Sequence, residues 1–189
     1  MHSSTPSVRL PIRDMAIFAV LGTIMFVSRI SMQLFMSVHL LGLFIAAITL
    51  TYKMRALIPI YIYVMLDGIF AGFAFWWQPY LYIWLPLWLM FMIAGKFAIP
   101  KVAQVPLYMV LCGLHGLLFG IMYAPAWAFY MNLSFEATVA WIIAGLPADI
   151  IHCISNIALG TLIVPLTELL KKLALFTPSS SKPRDSSQQ

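Results

Sequence analysis

The chain has 189 residues, of which 62% are hydrophobic and only 9% charged, with a formal net charge of +5 and a mean hydropathy of +0.94. A water-soluble domain of this size cannot hide so much apolar surface in one core, so the composition predicts an all-α integral membrane protein. The excess positive charge does not point to nucleic acid, because the basic residues sit at segment ends, where they read as topology signals.

Residues 1–14 carry Ser, Thr, Pro, Arg9 and Arg13 and are expected to form a short cytoplasmic lead. No separate soluble domain and no cleaved leader is expected, since apolar runs longer than a signal-peptide core recur along the whole chain. The first span is predicted from about Met15 to Phe35, with the small residues Ala16, Ala19 and Gly22 at every third position and Arg29 and Gln33 towards its far end. Small residues on a helix edge let a second helix approach closely, whether inside the bundle or from a partner. A short second span, about His39 to Tyr52, closes on Lys53 and Arg55, and a third follows from Ala56 to Trp77 with Asp67 near its middle.

After Gln78-Pro79, a fourth span from Tyr80 to about Ile99 is dense in aromatic rings and ends at Lys96 and Lys101. A fifth runs from Pro106 to Met131, followed by a polar loop from Asn132 to Glu136. The sixth segment, Thr138 to Leu170, exceeds the roughly 20 residues of one crossing. Its first part, up to Gly145, is therefore expected to be a loop helix or interfacial segment, with the spanning helix starting or restarting at Pro147, where the missing N–H is not needed.

Lysine and arginine accumulate in cytoplasmic loops. Six spans put every basic group but Arg29 on one side, so both termini are expected in the cytoplasm, with the turns near Ser37, Gln78 and Asn132 outside. The chain then divides into the lead (1–14), a six-transmembrane-helix bundle (15–176) and a Ser/Pro/Gln-rich cytoplasmic tail (177–189) expected to be disordered. Cys112 and Cys153 lie in apolar segments without metal-like spacing and read as small buried residues, and neither a metal nor a cofactor is expected.

Candidate site residues follow from the cost of placing polar groups in an apolar segment. Asp149, His152 and Asn156 stand at i, i+3 and i+7, which puts them on one helix face. Counting inward from Glu168, Asp149 falls near the outer boundary of the hydrocarbon. The run Trp76, Trp77, Gln78, Pro79, Tyr80, with Tyr82 and Trp84 beyond it, is expected at the same level. Interfacial belts account for many such rings, but this concentration in a tight turn suits an aromatic pocket with a few polar groups fixing a small molecule. Trp77, Tyr80, Trp84, Asp149, His152 and Asn156 are the ligand-binding candidates, joined by Asp67 and Arg29. His115 reads as a packing residue and His39 as an interfacial one.

These features resemble the substrate-binding S components of energy-coupling factor (ECF) vitamin transporters. The resemblance spans nearly the whole chain and rests on the six spans, the small-residue edge of the first, the pattern Gly145-Leu-Pro147-Ala-Asp149-Ile-Ile-His152-Cys-Ile-Ser-Asn156 before a helix ending in Lys171-Lys172, and the stretches Gly68-Ile-Phe-Ala-Gly72-Phe and Pro79-Tyr80-Leu-Tyr82-Ile-Trp84. It implies a multi-pass protein of a prokaryotic cell membrane, not itself an enzyme, that captures a vitamin-like molecule from outside. A separate transmembrane scaffold and two ATPase subunits would supply the power stroke, in keeping with the lack here of a Gly-x-x-x-x-Gly-Lys-Ser/Thr phosphate loop. Family members dock on the scaffold through an Ala-x-x-x-Ala edge of the first helix. Ala16, Ala19 and Gly22 are the corresponding candidates, though their spacing of three departs from that pattern.

The expected ligand is a small aromatic heterocycle, stacked by the rings and hydrogen-bonded by the polar face. Asp67 and Glu136 favour a thiamine-like cation, whereas Arg29 favours a folate-like carboxylate, and the sequence does not choose. A stand-alone channel or secondary transporter is the alternative, although no internal repeat is present. An intramembrane enzyme built on Asp67 and Asp149, or on His152 and Ser155, lacks the sequence contexts such enzymes need.

Overall fold

The structure, a computed structural model, describes residues 11–34 and 38–175. Among these it is all helical, without strands: α1 (Ile12–Ser31), α2 (Leu41–Tyr52), α3 (Leu57–Ala71), α4 (Trp84–Ala94), α5 (Lys101–Leu117), α6 (Phe119–Met131), α7 (Phe135–Gly160) and α8 (Ile163–Leu175), with 3-10 turns at Met32–Leu34, Lys53–Ala56 and Gln78–Leu81. Four stretches, Ile12–Ser31, Leu41–Ala71, Lys101–Met131 and Phe135–Gly160, are long and apolar enough to cross a bilayer, as suits a membrane protein. The expected lead up to residue 10, the end of the first span at Phe35, the turn near Ser37 and the tail from Thr177 lie outside the described residues.

α2 is the axis of the bundle. Nine of its twelve residues are buried, as expected of a helix that is apolar all round and therefore covered on every side. α4, α5, α7 and α8 pack around it, while α1 pairs mainly with α3 and α6 with α7. Contacts orient the pairs. Asp14 of α1 meets Arg55, just before α3, at 3.1 Å and Arg29 meets Asp67 at 3.2 Å, so α1 and α3 run parallel. On the other side, Gly113 faces Ile157, Gly116 faces His152 and Asn156, Gly120 faces Asp149 and Gly160 faces Met109, so the α5–α6 rod runs antiparallel to α7.

The two ends of the bundle differ in chemistry. At one, Arg13 donates to the Ala174 carbonyl, Arg55 pairs with Asp14, and Lys53, Lys101 and Lys171 share a recess. The other carries the Arg29–Asp67 pair and the aromatic turn, where the Tyr123 hydroxyl donates to the Trp76 carbonyl at 2.7 Å.

Several helix boundaries differ from the expected ones. α1 begins at Ile12, inside the expected lead, because Pro11 in extended conformation stands at its N-cap and Asp14 suits the first turn. α5 begins at Lys101 directly after Pro100 and carries Pro106 in its interior. The last segment departs furthest. Pro147 does not start a helix: α7 opens at Phe135, where the Ser134 side chain accepts from the Ala137 N–H at 3.2 Å, and it runs straight through Gly145 and Pro147. A serine N-cap with Glu136 in the first turn is a complete start signal. The helix then continues across the proline to Gly160. The break comes later, at Thr161–Leu162, and separates α7 from α8.

Candidate functional site: a ring cluster around three histidines

The predicted polar face of α7 is intact, and its three members meet different partners. Asp149 is 4% exposed, and both carboxylate oxygens accept from the Gly120 N–H at 3.2 Å. Gly120 is the second residue of α6, where a helix leaves N–H groups without intrahelical partners and favours a negative charge. No side chain of its own segment caps α6, so Asp149 caps it from the neighbouring helix. Asn156 donates from Nδ2 to the Cys112 carbonyl at 3.2 Å, and its side chain also lies against Gly42 at the start of α2. It thereby ties α7 to both α5 and α2. His152 and Asn156 also line a cavity.

That cavity, about 20 Å³, is lined by His39, Trp84, His115, Phe119, His152 and Asn156, together with Leu41, Gly42 and Gly116. Its volume accommodates about one water molecule. The His115 Nε2 lies 2.9 Å from the Ile83 carbonyl; a carbonyl only accepts, so this nitrogen carries the proton and Nδ1 is left as an acceptor. Three further nitrogens on residues of the cavity wall, Trp84 Nε1, His39 Nδ1 and His152 Nδ1, are buried without a protein partner. Burial, and secondarily the Arg29 charge, holds the His39 imidazole below its ordinary pKa of 6.5, which keeps it neutral at pH 7.

Aromatic rings extend from this centre towards the turn at residues 76–80. His152 packs on His39 and on Phe119 with centroids 5.4 and 5.1 Å apart. Trp84 stacks between His115 (5.9 Å) and Tyr80 (5.8 Å). A second file runs Phe119, Tyr123, Trp141, Trp127 with every neighbouring pair stacked, and the Tyr80–Tyr123 edge contact joins the two. These separations are those at which aromatic pairs attract.

The remaining candidates stand apart from the cavity. Arg29 and Asp67 form an ion pair between α1 and α3, and the Tyr80 hydroxyl lies beside Arg29. Trp77 donates from its indole to the Val64 carbonyl at 2.8 Å, closing the aromatic turn onto α3. On α1, Gly22 is buried against Ile62 and Pro59 of α3, whereas Ala16 and Ala19 are exposed. Among the described residues no group of His, Cys, Asp and Glu has metal-binding geometry. The two aspartates each have their own partner, and Ser155 donates to the His152 backbone carbonyl rather than to the ring.

Substituting Asp149 separates capping from ligand contact. Asp149→Ala removes the acceptor of a buried N–H and is expected to cost about 1–2 kcal/mol in a thermal or denaturant unfolding experiment in detergent. Asp149→Asn keeps an acceptor and should cost less than half as much. Equal losses for the two variants would show that the charge itself, and not the cap, is what the fold needs.

Comparison of the chain with protein-family models, with curated proteins and with solved structures finds no match.

Proposed function

We propose that this chain is the substrate-binding subunit of an ECF-type importer, which takes a small planar heterocycle at the ring cluster and delivers it together with a separate membrane scaffold and two ATPases. The observation that carries the proposal is that three residues walling one aromatic cavity, Trp84, His39 and His152, each hold a buried nitrogen without a protein partner (Trp84 Nε1, His39 Nδ1 and His152 Nδ1). Buried polar groups are normally hydrogen-bonded. Three that are not, on residues that wall one cavity between stacked rings, suit a molecule that has a polar edge and two flat faces.

The charges bear on which heterocycle. Asp67 and Arg29 neutralise each other and Asp149 is engaged at the start of α6, so the cavity wall offers only neutral donors and acceptors. A neutral ligand fits this better than a thiamine-like cation or a folate-like anion, because an ion taken into the site would lack a counter-charge. The cavity in this closed form is smaller than any such ligand, so binding requires the rings to part.

Six crossings with both termini in the cytoplasm agree with the gathering of Arg13, Lys53, Arg55, Lys101 and Lys171 at one end of the bundle. They require α2 and α3, which together form one long apolar stretch, to cross separately. A reversal between them is supported by Lys53, the C-cap of α2, whose backbone is in an unusual positive-φ conformation (φ 56°).

Native mass spectrometry with absorbance, on protein gently purified from its source, tests the assignment. One bound heterocycle per chain is expected. Trp84→Ala should weaken its binding by about 30-fold, the effect of removing a central aromatic anchor worth roughly 2 kcal/mol. An empty protein that binds no member of a vitamin panel, or purified chain that transports solute alone in proteoliposomes, would favour a self-sufficient channel or carrier.

A further inference from the structure

The end of the bundle opposite the ring cluster contains a second, larger recess of about 290 Å³, and three of the residues on its wall are lysines from separate elements. Lys53 closes α2, Lys101 opens α5 and Lys171 belongs to the last turns of α8. The single carboxylate on the wall, Glu168, makes no ion pair with any of them among the described residues, so the recess carries a formal excess of positive charge. Lys101 is moreover at a helix N-terminus, where a cation is disfavoured and an anion favoured. Lys53 reaches the Gly95 carbonyl only at 3.5 Å. Buried Tyr108 and Thr167 also line the recess.

This polar recess is not isolated. It shares Ala94, Phe97 and Ile99 with an apolar groove of about 430 Å³ between α4 and α5, completed by residues such as Met90, Leu107 and Leu111. Phe97 at their junction is 68% exposed and Ile93 in the groove is 46% exposed. Clustered lysines opening onto a groove without charges match an amphiphile with an anionic head. A free anion would use the first half of this surface and leave the second unexplained.

We infer that the recess and groove form a binding site for an anionic phospholipid, with the phosphate among Lys53, Lys101 and Lys171 and one acyl chain along α4 and α5. Basic pockets between membrane helices recognise anionic headgroups through the same combination of charge and adjoining hydrocarbon. The site lies away from the ring cluster and does not depend on what that cluster binds.

Native mass spectrometry of the full chain, delipidated in detergent and titrated with phosphatidylglycerol, phosphatidylcholine, soluble glycerophosphoglycerol or inorganic phosphate, tests the assignment. Phosphatidylglycerol should bind at one per chain in preference to phosphatidylcholine, and the two soluble phosphates should bind far more weakly. Each lysine near an anionic surface contributes about 5-fold, so Lys101→Gln with Lys171→Gln should weaken phosphatidylglycerol on the order of 25-fold, with unfolding temperature as a check that the fold persists. Lys96→Gln, at an exposed lysine outside the recess, should change nothing. Equal retention of the two lipids, or unchanged binding in the double variant, would overturn the site. Inorganic phosphate or glycerophosphoglycerol binding as tightly as the lipid would overturn the lipid as its occupant.

Discussion

Replacing Asp67 with alanine is expected to destabilise the protein by about 3–5 kcal/mol, the cost of leaving one member of a buried ion pair uncompensated. The Asp67 side chain is 0% exposed and that of Arg29 only 18%, with 3.2 Å between Nη1 and Oδ1. The guanidinium that remains after Asp67→Ala is held near the end of α1 beside Tyr80 and His39, neither of which offers a negative charge. The alanine variant should therefore lose the docking of α1 on α3 before the rest of the bundle unfolds. Removing the partner as well should reverse most of the loss: Arg29→Met combined with Asp67→Ala substitutes an apolar contact for the pair, an exchange that is often neutral or stabilising. A denaturant titration in detergent of the two single variants and the double gives the coupling energy directly. Single variants as stable as the parent would show that the pair contributes nothing to the fold. The same double variant bears on function, because a site for a neutral heterocycle should keep its affinity when both charges are gone. A marked loss of binding in a folded double variant would place the ion pair in the ligand site and revive the charged ligands.

How far the sequence predicts this arrangement depends on whether the information is local. The all-helical class and the shared face of Asp149, His152 and Asn156 follow from hydrophobicity and from the 3.6-residue repeat, and both are found. The division of labour on that face is not local. Asp149 serves as a cap because Gly120, 29 positions earlier, starts a helix opposite it, and spacing along α7 carries no trace of that backbone. His39 and His115 each read alone as interfacial or packing residues, Phe119 and Trp141 carry no signal of their own, and only the meeting of the segment before α2 with α4, α5, α6 and α7 makes them one cluster. A histidine in each of three apolar segments was the available clue. The stripe on α1 illustrates the opposite case. Steps of three residues drift by about 60° around a helix, so Ala16, Ala19 and Gly22 do not share a face, and only Gly22 turns to α3. At Pro147 a good local start signal lost to a better one at Ser134, and α7 then packs on the α5–α6 rod from Asp149 to Gly160.

That packing is also where a single methyl group should do the most damage. Gly113, Gly116 and Gly120 form a ridge on the α5–α6 rod that α7 approaches closely, the arrangement by which helices associate where no hydrophobic force separates protein from lipid. A Cβ at Gly116 would stand 2.8 Å from Asn156 Nδ2 and 2.9 Å from the His152 backbone carbonyl. The amide can swing aside; the backbone cannot. Gly116→Ala should therefore push α7 away from α5 and cost about 3 kcal/mol, the upper end of overpacking losses. The displaced groups include the Asn156 bond to Cys112 and the ring of His152, so any protein that still folds should have lost the heterocycle as well. Gly145 is the matched control, since it lies in the interior of the same α7 but a methyl group there would meet nothing within 4 Å. There Gly145→Ala should be neutral or stabilising by about 0.5–1 kcal/mol, through the better helix propensity of alanine. Unfolding of both variants in one detergent decides the matter. A Gly116 variant as stable as the Gly145 variant would mean that α5 and α7 are not held at glycine distance, and the ring cluster built on their contact would have to be assembled some other way.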